Sequence, residues 1–114
     1  MSMKLTTREV GGVSIVDLSG KITLGEGGVA LREEVRKLLA EGKKKIVLNL
    51  AEVNYIDSSG LGELVSAYTA VKNAGGELKL LSLTSKVRDL LVITKLVTVF
   101  DVKDDEASAV SSFA

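Results

Sequence analysis

The chain contains no cysteine, no histidine, no proline and no tryptophan in its 114 residues. Without cysteine there is no disulfide and no thiolate metal site, a composition suited to a reducing, cytoplasmic setting. Without histidine, Ser-His-Asp and Cys-His catalysis are excluded, together with imidazole metal centres. No catalytic residue, metal or cofactor is expected. Aromatic residues make up 4%, too few for a base-stacking platform. The 15 basic and 15 acidic residues cancel and no long basic run is present, which speaks against nucleic acid or an anionic membrane as a partner. No run of about 18 apolar residues exists and the amino terminus lacks a signal-peptide core.

What is present describes an ordinary globular chain, 46% apolar and 26% charged. Its length suits one domain over residues 1–114, with residues 1–4 frayed. With proline missing, turns depend on Gly, Asn, Asp and Ser. Gly11-Gly12 reads as a hairpin turn between Leu5–Val10 and a strand built on Val13, Ile15, Val16 and Leu18. Gly25–Gly28 reads as a loop. Its match to a loose G-x-G-x-x-G/A pattern is poor evidence for a dinucleotide, since Glu26 would meet the pyrophosphate. Leu31, Val35, Leu38 and Leu39 then mark one stripe of a helix that Gly42 stops. The Lys43-Lys44-Lys45 run that follows is a solvated turn, too short for a nucleic-acid patch.

Ile46–Leu50 is nearly all apolar, as in a central strand covered on both faces. A second helix places Leu61, Leu64, Val65, Tyr68 and Val71 inward and ends at Gly75-Gly76. Leu78, Leu80, Leu81 and Leu83 make a further strand, and Thr84 or Ser85 caps a helix with Val87, Leu90 and Leu91 inward. Val97, Val99, Phe100 and Val102 suggest a last strand. Asp104-Asp105-Glu106 opens a final helix with Ala107, Val110 and Phe113 inward. The order ββαβαβαβα predicts an α/β fold: a mixed sheet of four or five strands, an N-terminal hairpin and about four helices.

The chain centres on Val53-Asn54-Tyr55-Ile56-Asp57-Ser58-Ser59-Gly60-Leu61-Gly62. Here a covered strand passes into a helix whose start carries unpaired N–H groups and a partial positive charge. A plain N-cap would account for Asp57 and the serines. Two glycines in a first helical turn are not explained by stability, because each costs up to about 1 kcal/mol against alanine. They are expected to leave the approach to Ser58 bare, so that another backbone or a bulky phosphate donor can come close. Ser58 lacks the Gly-x-Ser-x-Gly elbow and has no histidine to activate it. A Ser-Lys arrangement stays open, although nothing places a lysine nearby; a serine without its own base is otherwise made reactive by a partner, as for the substrate of a kinase.

This stretch, preceded by Ile46-Val47-Leu48-Asn49-Leu50, resembles the STAS domain of bacterial anti-sigma factor antagonists. Leu18-Ser19-Gly20-Lys21-Ile22 and Gly76-Glu77-Leu78-Lys79-Leu80 extend the resemblance over nearly the whole chain. It implies a single-domain STAS-like fold in a protein that is not an enzyme and regulates transcription by partner switching. In that cycle the unmodified protein binds an anti-sigma factor that is also a serine kinase. The kinase phosphorylates the first serine, here Ser58, and a PP2C-type phosphatase restores it. Asp57, Ser59, Gly60, Leu61 and Gly62 would flank the phosphosite, and Thr23 and Leu24 would join the partner rim. The chain is expected to be a monomer or weak dimer. Glu63, just after Gly62, and the glycine-rich Gly25–Gly28 depart from the pattern. Two alternatives stay open: a STAS scaffold module in a signalling assembly, and a nucleotide- or small-anion-binding STAS domain.

Overall fold

The computed structural model describes residues 3–23 and 25–113, and of Glu26 its backbone only. Strand β1 (Met3–Val10) turns through Gly11 and Gly12, at φ 57° and 82°, into β2 (Val13–Ile22). Both glycines occupy the left-handed region that side-chain-bearing residues avoid. The strand starts earlier than the sequence suggests, since Met3 and Lys4 already pair with Gly20 and Ser19. Met1 and Ser2 lie outside the described residues.

Helix α1 (Glu26–Ala40) also begins early. Gly27 and Gly28, expected in a loop, form its first turn. A Cβ on Gly27 would lie 2.5 Å from the Lys21 carbonyl oxygen, so only a bare residue lets the helix start against the end of β2. Its end is a Schellman turn: Gly42 N–H donates to Leu39 O at 3.0 Å, and Lys43 N–H to Leu38 O at 2.9 Å.

Next come β3 (Lys45–Ile56), α2 (Ser58–Asn73), β4 (Glu77–Leu81), α3 (Ser85–Ile93), β5 (Asp101–Lys103) and α4 (Glu106–Ser111). The sheet order is β1-β2-β3-β4-β5. The β1–β2 pair is antiparallel and the other pairs are parallel. Thus the predicted mixed α/β sheet with an N-terminal hairpin and four helices is the fold observed.

The main core lies between the sheet and the helices. Val16, Leu18, Ile46, Leu48 and Leu50 of the sheet meet Leu31, Leu38, Leu64, Val71 and Leu91 of the helices. Burying each such side chain stabilises the fold by roughly 1.5–3 kcal/mol. The opposite face carries a smaller cluster, Val13, Ile15, Val47 and Leu81 under Ala109 of α4. Ile46–Leu50 is therefore covered on both sides.

Two local expectations are corrected. Ala109 faces inward on α4 while Ala107 is exposed. The apolar run before β5 is a 3₁₀ turn, Leu96–Thr98, entered through left-handed Lys95 (φ 67°), so only Val102 of the four expected residues lies in the strand.

Candidate functional site

Strand β3 outlasts its apolar run because β2 continues to pair with it, Lys21 opposite Tyr55 and Ile22 opposite Ile56. The chain leaves the sheet at Asp57, which has extended backbone (φ −95°, ψ −177°) and caps α2. Its carboxylate accepts the Gly60 N–H at 2.7 Å, and its carbonyl accepts the Leu61 N–H at 2.9 Å. The Asp57 N–H donates to Ile22 O at 3.4 Å, fixing the cap to the end of β2. Ser58 and Ser59 are the first two residues of α2, and both are exposed.

The two glycines of the first turns play different parts. A Cβ on Gly60 would come within 1.9 Å of the Ile22 carbonyl oxygen. Gly60 is bare so that α2 can seat on the chain's own backbone, the first of the two close approaches that the sequence allows for. A Cβ on Gly62 would meet nothing within 4 Å. The open ground one turn below Ser58 comes from Gly62.

Leu61 turns into the core, 9% exposed, and does not present its side chain to a partner. Thr23 is partly buried, with its carbonyl accepting the Gly28 N–H at 3.0 Å. Leu24 lies outside the described residues. Sequence reasoning missed Tyr55, which is 47% exposed at the end of β3 and has the Lys21 ammonium 5.9 Å from its ring centre. Its place before Ile56-Asp57 offered a signal, because a solvent-facing tyrosine is a common interface anchor. Glu63 is held by Arg32 of α1, Oε2 to Nη1 at 2.7 Å.

No group in this site has a base poised on a serine hydroxyl among the contacts described. What the geometry offers is an accessible hydroxyl at the positive end of a helix, rigidly placed and open on one flank.

The family model of the STAS domain matches residues 4–109. The chain belongs to the STAS domain family. It is 36% identical over 87 residues to the anti-sigma-B factor antagonist of Bacillus subtilis, spanning 76% of this chain and 78% of that one. An anti-sigma factor antagonist from Mycobacterium paratuberculosis shares the fold at TM-score 0.86 and 22% identity, over 98% of this STAS chain and 94% of its own. The Bacillus cell fate determinant SpoIIAA, solved in its phosphorylated form, superposes at TM-score 0.72 and 16% identity, over 95% and 97% of the two chains. No helix among the described residues is long and apolar enough to cross a membrane.

Proposed function

We propose that this STAS domain is an anti-sigma factor antagonist. Its unmodified form binds an anti-sigma factor that is also a serine kinase, and so releases a sigma factor. Phosphorylation of Ser58 by that kinase ends the binding, and a PP2C-type phosphatase resets the protein. The chain acts as substrate and switch, not as an enzyme.

The observation that carries this reading is the exposed Ser58 at the first position of α2, between an Asp57 that caps the helix and a Gly62 that leaves its flank open. A phosphate brings about −1.5 to −2 charge. The helix dipole tolerates it in the free protein. Pressed beside Asp57 into a protein interface, the same charge is desolvated and repelled. The name of the B. subtilis relative supports the antagonist role.

The test is to incubate the purified chain with candidate kinases and ATP and to map the product by mass spectrometry. Phosphate on Ser58, abolished by Ser58→Ala, is the expected result. Undiminished phosphorylation of the Ser58→Ala chain would overturn the assignment.

A further inference from the structure

Ser58 and Ser59 are adjacent, both exposed, and both at the start of α2. A partner enzyme reaching one can reach the other, yet a switch needs one address. On a helix, residues four apart share a face with Cβ atoms about 5–6 Å apart. Below Ser58 that position is Gly62, with open space around it. Below Ser59 it is Glu63. Side chains on a helix lean toward its amino end, so Glu63 tilts back over the turn that holds Ser59.

The surroundings keep that carboxylate in place. Arg32 of α1 holds Oε2 at 2.7 Å, and the Glu63 side chain is partly buried. Its Cγ lies 2.9 Å from where a Cβ on Gly28 would stand, so the missing side chain at Gly28 makes the room it occupies. Glu63 is thus a resident anion, lodged between the first turns of α1 and α2 and already paired with the nearby cation. A phosphate on Ser59 would be set against Glu63, and the Arg32 charge beside it is already balanced by that carboxylate. A phosphate on Ser58 would not, since it projects from the other flank of the helix. Asp57, as the cap, adjoins both serines and does not discriminate between them.

We propose that Glu63, held by Arg32, is a specificity-determining residue that disfavours phosphate on Ser59 and confines the switch to Ser58. This rests on the reading of Ser58 as the acceptor. Its test, however, needs no kinase, so a failure here counts against Glu63 and leaves that reading to the mapping experiment.

Phosphoserine is installed during translation at position 58 or at position 59, each in the Glu63 and the Glu63→Gln chain, and the phosphate is titrated by phosphorus NMR. The second phosphate ionisation falls near pH 6. Glu63→Gln keeps the side chain's shape and its acceptor for Arg32, so the fold is retained. The expected result is that Glu63→Gln lowers the midpoint at position 59 by about 0.3 pH unit, as removal of an i,i+4 like charge should. The midpoint at position 58 should move by less than about 0.2. An independent reading uses melting temperature: Glu63→Gln should raise that of Ser59→Asp by about 2 °C more than that of Ser58→Asp. Equal responses at the two positions, in either measurement, overturn the proposal.

Discussion

Gly60 and Gly62 stand two residues apart in one helix, and the structure gives them opposite sensitivities. Alanine at Gly60 would drive a methyl into the Ile22 carbonyl, 1.9 Å away. That oxygen also accepts the Asp57 N–H, so it cannot retreat without loosening the cap. Overpacking of this kind costs roughly 1–3 kcal/mol or more, which outweighs the gain in helix propensity of up to about 1 kcal/mol. Gly60→Ala should therefore lower the urea midpoint, with a net loss of about 1–2 kcal/mol. Gly62→Ala meets nothing within 4 Å and should raise the midpoint, by about 0.5–1 kcal/mol. A Gly60→Ala chain as stable as the wild type would contradict this seating of α2 on β2.

Among the elements, α4 is a short helix that docks through Ala109 on the apolar face of the sheet and is clamped at its start by charge. Arg8 of β1 binds Asp17 of β2 at 2.6 Å and Glu106 of α4 at 2.6 Å, and Asn49 of β3 donates to Asp17 at 2.8 Å. Hydrogen bonds to Asp17 first and Glu106 second hold the Arg8 guanidinium above its ordinary value. The hydrogen bond from Arg8 in turn holds each carboxyl below its ordinary range. Near the other edge of the sheet, the Lys79 ammonium holds Asp101 down in the same way, at 2.6 Å. Groups whose folded-state pKa is depressed stabilise the fold above their unfolded value, near pH 4, and lose that contribution as pH falls through the folded value. Stability should thus be level from pH 7 to about 5 and decline below about 4. Arg8→Met should flatten the decline, as measured by urea midpoints across that range. An unchanged slope in Arg8→Met would rule out this clamp as its source. Arg8, Asp17 and Glu106 are partly exposed, so salt should weaken their share of the effect.

The order of these elements was legible because glycine pairs and periodic apolar residues punctuate the chain at nearly every turn. The length of β3 was not. Ala51, Glu52, Asn54 and Tyr55 are exposed and break the apolar run, while backbone pairing with β2 carries the strand on to Ile56. Ala107 and Ala109 fit an inward stripe about equally well by composition, and only the docking of α4 over Val47 and Leu81 decides for Ala109. The place of Ser58 at the start of α2 could be read because its motif is local. The parts of Gly60 and Glu63 could not, since their counterparts, Ile22 and Arg32, are remote in sequence and meet them only in the fold.

At the scale of the whole molecule, the sheet and helices form a rigid mount whose rim carries Ser58. In the proposed switch, nothing in the fold would have to rearrange for a phosphate on Ser58 to act. It would sit at a helix start that accepts negative charge, and it would act only when a second surface closes over it. The most direct test is a binding titration of the anti-sigma factor that captures the unmodified chain, against wild type, Ser58→Ala and protein phosphorylated at Ser58. A loss of about 3–4 kcal/mol corresponds to a dissociation constant weaker by roughly 200- to 1000-fold. The account predicts that loss for the phosphorylated protein, with Ser58→Ala within about threefold of wild type and all three melting within a few degrees of one another. A phosphorylated protein that binds as tightly as the unmodified one would contradict it.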